Sequence, residues 1–228
     1  QNNKKVSGEI IFPFVEYGSK SKITKENIVI RNATVWTMES KGNIENCDVV
    51  IEDGKITAVG QNLNVDENNY KIINGDGMHL TPGIVDEHSH IALTGVNEGS
   101  QSVTSEVRMK DVVNSEDINI YRQLAGGVTT AQLLHGSANP IGGQSAIIKL
   151  RWGSIPEEML VKDADEYIKF ALGENVKRSR APSSTRFPDS RMGVEQVFVD
   201  AFNRAKIYSD NWSNYNSLSK KEKINSIK

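Results

Sequence analysis

The sequence is poor in the residues that would stabilise a small disulfide-rich protein or bind a polynucleotide. It has a single cysteine, Cys47, among 228 residues, so it can form neither an internal disulfide nor a four-cysteine zinc site. Its 27 lysines and arginines are balanced by 29 aspartates and glutamates, and the net charge of -2 argues against a nucleic-acid or anionic-membrane surface, because both need a basic excess. The longest apolar runs are only a few residues, which excludes membrane insertion as a spanning helix. The function must therefore be sought in individual motifs.

The placement of two of the four histidines is the most informative feature of the chain. His88 and His90 follow an apolar pair, Ile84-Val85, and Pro82-Gly83 punctuates the start of that segment. Residues two apart on a strand point to the same face, about 6–7 Å apart. Two imidazoles in this arrangement can converge on one ion. The pattern predicts a buried strand with two metal ligands at its carboxyl end, in preference to two structural histidines.

Residues 81–90 resemble the first barrel strand of the amidohydrolase superfamily, in which Pro-Gly-apolar-apolar-Asp leads into His-x-His. Residues 124–130 are similar to the entry to the second strand in that superfamily, and residues 49–60 to the hairpin that precedes its barrel. The resemblance covers about residues 28–208 and is to the imidazolonepropionase-like branch, in which large bacterial proteins carry this region behind a β-propeller. It implies an α/β fold: a partial metal-dependent (β/α)8 TIM barrel preceded by a small β-sandwich.

The resemblance and the composition together divide the chain into three expected parts. Residues 1–26 are interpreted as an N-terminal extension and linker, with an edge strand near Ile10–Tyr17. Residues 27–81 are rich in β-branched side chains and are expected to form the sandwich, with a hairpin turn at Asp53-Gly54. Residues 82–228 are expected to form the N-terminal part of the barrel, because eight strand–helix units need about 250 residues. The chain is thus interpreted as a fragment of a longer protein.

Within residues 82–228 the apolar spacing predicts alternating strands and helices. The predicted strands are Val128–Leu134, 145–152 and the third barrel strand Phe170–Asn175; the predicted helices are Asp117–Leu124, Asp163–Lys169 and Val194–Tyr208. Residues 136–144 are interpreted as a loop, and the aromatic stripe of the last helix is expected in the core. The long loop after His90 is a candidate for substrate contact, because loops that follow barrel strands line the active site.

The resemblance implies a metal site at the carboxyl ends of the barrel strands. His88 and His90 are the expected first ligands, and Glu174, at the end of the third strand, is the expected carboxylate ligand. Lys177 is a rival to Glu174 if it is carboxylated, and the alternative that neither residue binds metal stays open. The usual later ligands, two histidines and an aspartate, are not in this chain. The general acid/base is accordingly expected beyond Lys228.

Several other polar residues near these motifs have weaker assignments. His135 ends the second strand and is assigned to substrate binding, with a packing role as an equal alternative. Asp86 shares the face of the two ligand histidines and is expected to orient an imidazole rather than bind the ion. His79 is expected to be a surface or packing histidine. A run of four arginines is interpreted as part of a solvated loop: Arg178, Arg180, Arg186 and Arg191.

The implied function is metal-dependent hydrolysis of a C–N bond in a small-molecule substrate: a cyclic amide, an imide or a peptide-like compound. The expected cofactor is a divalent metal, with zinc favoured by the ligand types. Two alternatives remain: a catalytically incomplete scaffold or interaction module, and a split half that needs its C-terminal segment, the missing half of the barrel, as a partner. Exposed strand edges favour association, so a homo-oligomer is also expected. The family resemblance suggests a periplasmic or extracellular location.

Overall fold

The computed structural model describes residues 10–21, 23–177 and 185–226, and its fold is mixed α/β. The strands of the described residues are β1 Ile28–Trp36, β2 Asn43–Glu52, β3 Lys55–Gly60, β4 Lys71–Asn74, β5 His79–Leu80, β6 Ile84–Ser89, β7 Val128–Leu133, β8 Ile141–Gln144, β9 Ala146–Lys149 and β10 Ile168–Phe170. The α-helices are α1 Ile118–Ala125, α2 Pro156–Met159, α3 Arg191–Ser217 and α4 Lys220–Ser226.

The chain folds into two compact units. The first contains the described residues up to Asp86 together with Ile118–Thr130 and Leu150–Met159. The second contains Glu87–Asp117, Ala131–Lys149 and the described residues from Leu160 onwards. The division of the sequence after residue 81 stays a prediction.

The first unit is built around one sheet of five strands. Their order is β3-β2-β1-β4, with β5 also paired to β1. Asp53 and Gly54 join β2 to β3 with φ values of 48° and 74°, in the left-handed region that a tight hairpin turn requires. The predicted hairpin is therefore confirmed. These five strands form one hydrogen-bonded sheet, and the expected small sandwich stays a prediction.

A buried ion pair crosses the first unit from β1 to β2. Asp48 is 2% exposed and accepts hydrogen bonds from the Arg31 guanidinium at 2.6 Å, from the Leu63 amide at 3.0 Å and from the Asn32 amide at 3.1 Å. Burial by itself raises the pKa of Asp48, but the hydrogen bonds from Asn32, Arg31 and Leu63 outweigh it and hold that pKa below its usual value. The carboxylate thus joins three segments of the unit.

Residues 10–21 form a single β-bridge and no longer strand. Phe12 and Ser19 exchange two backbone hydrogen bonds of 2.8 Å, and the chain turns back between them. The edge strand predicted near Ile10–Tyr17 is therefore wrong. The carbonyl of Tyr17 instead accepts a hydrogen bond from the Trp152 indole at 2.9 Å, which fastens this segment within the first unit.

The segment that begins at Pro82 forms the expected strand, helix and strand. β6, β7 and β9 make a three-stranded sheet with β7 in the middle. The amide of Ile84 donates to the Gly127 carbonyl, and that of Leu134 donates to Ser89, so the bonds advance together and β6 and β7 run parallel. The prediction that Ile84 and Val85 are buried is wrong: they are 56% and 60% exposed, because no layer of the described residues covers them.

The region after β7 departs from the sequence prediction. Residues 141–144 form β8, where a loop was expected, and β8 pairs antiparallel with β10. The predicted helix Asp163–Lys169 is absent from the described residues, and its last residues belong to β10. The third barrel strand predicted at Phe170–Asn175 is also wrong, because β10 ends at Phe170 and a barrel requires parallel neighbours.

The last part of the described chain is helical. The helix predicted at Val194–Tyr208 is confirmed but extends over α3, Arg191–Ser217. Its aromatic stripe was expected in the core, and this holds only in part: Phe198 packs against the buried cluster that contains Val194, whereas Phe202 is exposed. None of the helices that the structure describes is both long and apolar enough to cross a bilayer.

Candidate metal centre

His90 lies directly after β6, at the carboxyl end of the parallel pair of strands. Its Nδ1 atom is 2.8 Å from the carbonyl oxygen of Leu134, the residue that follows β7. A carbonyl can only accept, so Nδ1 carries the hydrogen and donates it. The other ring nitrogen, Nε2, is then left with its lone pair available, as in metal-ligating histidines whose second nitrogen is fixed by a carbonyl.

His88 stands beside His90 on the same strand face, as the spacing predicts. The two ring centres are 5.4 Å apart, with the ring planes at 84° to each other, and both side chains are exposed. Two imidazoles bound to one tetrahedral ion through bonds of about 2 Å have ring centres roughly 5 Å apart. The spacing of the two rings is therefore compatible with two ligands of one ion.

Glu174 is not brought to these histidines. Among the described residues no three histidine, cysteine, aspartate or glutamate side chains lie close enough together to hold a metal ion. Glu174 lies in a 3-10 turn, where its carboxylate pairs with Lys177 and with Arg191 at 3.1 Å. The hydrogen bond from the Lys177 ammonium lowers the pKa of Glu174. This arrangement gives no support to Glu174 or to carboxylated Lys177 as a ligand, and both remain predictions from the sequence.

The other singled-out residues have simpler environments. His79 is exposed on β5, and its Nδ1 accepts a hydrogen bond from the Trp36 indole at 2.9 Å, as expected for a surface histidine. Asp86 is half-buried in β6, and its orienting role stays a prediction.

Arg186 was expected in a solvated loop, and this is wrong: it is half-buried and donates to the carbonyls of Gly99 and Val176. Two residues of that run, Arg178 and Arg180, lie outside the described residues.

His135 is a core residue rather than a pocket residue. It is 0% exposed, and both of its ring nitrogens are occupied by the backbone. Nε2 accepts from the Glu98 amide at 2.7 Å, and Nδ1 lies 2.8 Å from the Gly136 carbonyl, to which it must donate. A ring used in this way gives no support to direct substrate binding by His135, which stays a prediction from the sequence.

Gly142 and Gly143, which the sequence places in a loop, lie in β8 against the His135 ring. A Cβ on Gly142 would stand 2.6 Å from His135 Nδ1, closer than real contacts allow. Gly142→Ala is therefore expected to reduce the free energy of unfolding by about 1–3 kcal/mol through overpacking. Gly95→Ala is the matched control, since a Cβ there meets nothing within 4 Å. Urea unfolding of both variants measures the effect, and equal stabilities would contradict this packing.

Sequence reasoning missed the backbone groups that complete this part of the molecule. The Leu134 carbonyl orients His90, and the Glu98 amide donates to His135. Every residue type has a main-chain carbonyl, so these contacts cannot be predicted from the identity of the residues. Asn139 was also missed: it is fully buried, and its amide nitrogen donates to three acceptors. The Asn139-Pro140 pair in the sequence indicates only a turn.

Comparisons with known proteins agree on one group of enzymes. The chain is 33% identical to amidohydrolase tasK of Hapsidospora irregularis in an alignment 210 residues long that covers 78% of the chain. It is 44% identical to a 5'-deoxyadenosine deaminase of Methanosarcina acetivorans over 69 residues, 30% of the chain. The solved amidohydrolase of Thermotoga maritima superposes with a TM-score of 0.72 and 38% identity over 83% of the chain. No family model matches the chain.

The matched proteins are longer than this chain. The chain spans 21% of the Hapsidospora protein, 16% of the Methanosarcina protein and 50% of the Thermotoga structure. The similarity to the Thermotoga enzyme shows a shared fold over the matched residues at an identity of 38%.

Proposed function

The chain belongs to the amidohydrolase superfamily, and on that premise we propose that it supplies the first metal ligands of a hydrolase that cleaves C–N bonds. The activity of the whole protein is part of the proposal, because the chain spans only part of its relatives. Members of this superfamily typically use a divalent metal. The described fold is proposed to be the start of a TIM barrel, of the imidazolonepropionase-like branch.

The orientation of His90 is the observation that carries this proposal. Its Nδ1–H group is fixed on the Leu134 carbonyl, so that Nε2 is the ring nitrogen available for an ion, beside the His88 ring. The pair stands at the carboxyl end of two parallel strands, which is where barrel enzymes place their catalytic groups. A purely structural role would not require the His90 ring to be fixed on a carbonyl while both histidine side chains stay exposed.

His88 and His90 would hold the ion, and zinc is the proposed metal because imidazole nitrogens suit it. The chemistry supplied by an ion at this position is a lowered pKa of a bound water and a polarised substrate carbonyl. The backbone at Leu134 keeps the His90 ring in its ligating tautomer. The remaining ligands and the proton-transfer group are proposed to come from outside residues 1–228.

The proposed substrate class is a small molecule with a hydrolysable C–N bond. The relatives include proteins named 5'-deoxyadenosine deaminase, dihydroorotase and allantoinase, so an amino-substituted purine and cyclic amides are the first compounds to assay.

The decisive test measures bound metal and hydrolysis together, on protein purified from its native source without tags or chelators. We expect near-stoichiometric divalent metal by plasma mass spectrometry and ammonia release or ring opening of one compound. Dialysis against a chelator should abolish hydrolysis, and added zinc should restore it. Metal-free protein without hydrolysis would contradict the proposal and favour the scaffold alternative. Hydrolysis that survives complete metal removal would contradict it as well.

A further inference from the structure

The loop that follows the two histidines is fastened along most of its length. Over residues 96–108 it exchanges backbone hydrogen bonds with the segment that follows β7: Gly136 donates to Val96, Thr104 to Ile141, Ile141 to Ser102 and Gln144 to Val107, over distances of 2.8 to 3.2 Å. Loops are usually held less tightly than the elements they connect. This loop is therefore preformed, although it contains no strand.

His135 holds one end of this loop. Its Nε2 accepts the hydrogen bond of the Glu98 amide, while its Nδ1 donates to the carbonyl of Gly136. Since an amide can only donate and a carbonyl can only accept, the ring is neutral and carries its hydrogen on Nδ1. It sits fully buried under the loop, where an apolar replacement would leave the Glu98 amide without this acceptor.

Asn139 holds the middle of the same loop. Its Nδ2 atom donates to Thr104 Oγ1 at 2.7 Å, to the Gln101 carbonyl at 3.0 Å and to the Glu98 carbonyl at 3.2 Å. Two of these partners are carbonyls, which can only accept, and this fixes the amide with its nitrogen toward the loop. We call His135 and Asn139 the clasp. Together they bind the loop at Glu98, Gln101 and Thr104.

The clasp is directly continuous with the support of the metal ligand. Leu134 accepts the hydrogen bond from His90, His135 accepts the one from Glu98, and Gly136 donates to Val96. These three consecutive residues therefore set the His90 ring and the start of the loop against one short piece of backbone.

We propose that His135 is a positioning residue, which sets the loop residues Asn97 and Glu98 at a fixed place relative to His90 so that they contact the substrate. Both loop side chains are exposed, and the Asn97 amide lies against the Gly136 backbone. Glu98 stays anionic, because hydrogen bonds from Ser100 lower its pKa. The loop thus presents an amide and a carboxylate, which suit the N–H and C=O groups of a ureide or cyclic amide. The inference rests on the proposed function for its substrate.

The test compares His135→Gln with His135→Phe in the full-length protein. The glutamine amide can supply an oxygen acceptor near the Nε2 position, whereas phenylalanine fills the space without an acceptor. We expect His135→Phe to raise KM for the hydrolysed compound by about tenfold to a hundredfold, as a displacement of positioning groups does, and to leave the bound metal unchanged. His135→Gln should recover most of the loss. Hydrogen exchange at the Glu98 amide should speed up in His135→Phe and much less in His135→Gln.

Substitutions of exposed residues test the inference even if the His135→Phe protein does not fold. Asn97→Ala should raise KM with unchanged thermal stability, while Gln123→Ala, an exposed change on α1, should alter neither quantity. An active, metal-bound wild type in which His135→Phe or Asn97→Ala keeps its KM would overturn the inference. A wild type without metal and hydrolysis would instead refute the proposed function. The Glu98 exchange rate would then still report whether the clasp exists.

Discussion

Replacing both His88 and His90 with alanine is expected to abolish metal binding and to reduce hydrolysis by more than about a hundredfold. The two imidazoles stand with their ring centres 5.4 Å apart, and removal even of groups that merely support a ligand costs about 10–100-fold in other metal sites. Metal content and kcat/KM of the full-length variant measure the effect. The free energy of unfolding should change little, because both side chains are exposed.

His79→Ala is the matched control for this double replacement. His79 is also an exposed histidine near a strand end, but its ring nitrogen is used by Trp36. The control should keep its metal and its activity. A double variant that retains a full equivalent of metal would place the site elsewhere, and equal losses in the control would point to a general effect of histidine removal.

The elements that the sequence predicted correctly depend on short-range chemistry. Asp53-Gly54 specifies a hairpin because few residues tolerate two successive positive φ values. The start of β6 could be predicted from Pro82-Gly83, and its carboxyl end from the two-residue spacing of the histidines, since that spacing is the period of a strand. In each case the signal lies within about ten residues of the structure it specifies.

The elements that were predicted wrongly depend on partners far away in the chain. The apolar residues around Phe170 do form a strand, but its antiparallel pairing with β8 cannot be derived from its own residues. Glu174 was placed at the end of a parallel strand on that false premise. In the structure Glu174 lies in a turn, where its carboxylate forms ion pairs with Lys177 and Arg191. A strand pattern in the sequence does not predict these pairs.

The buried polar residues show a further limit of sequence reasoning. His135 was equally compatible with a pocket and with packing, because the outcome depends on the Glu98 amide, 37 residues away. Gly142 and Gly143 were a visible signal, yet their meaning required the position of the imidazole against which they pack. Local patterns therefore predicted where the candidate site begins, and tertiary contacts determined which residues support it.

The second large effect is expected at Asp48. Asp48→Ala removes one partner of a buried ion pair and leaves the Leu63 and Asn32 amides without their acceptor, while the Arg31 guanidinium keeps the Glu67 carboxylate and the Leu63 carbonyl. The expected cost is therefore about 3 kcal/mol of unfolding free energy, at the lower end of the range for a broken buried pair. The matched control is Asp210→Ala, whose carboxylate pairs with Lys206 on the exposed surface of α3, and it should cost less than about 1 kcal/mol. Urea unfolding compares the two, and equal losses would contradict a special role for Asp48.

The contribution of Asp48 should also depend on pH in a defined direction. Its hydrogen bonds lower its pKa in the folded state below the value near 4 that is usual for an unfolded aspartate. The carboxylate therefore stabilises the fold fully above about pH 4, and this stabilisation is lost as the pH falls through the lower folded pKa. Asp48→Asn keeps the shape without the charge, so its stability deficit should be largest near neutral pH and should shrink in acid. A deficit that stays constant from pH 7 down to pH 2 would show that the side chain acts through its shape alone.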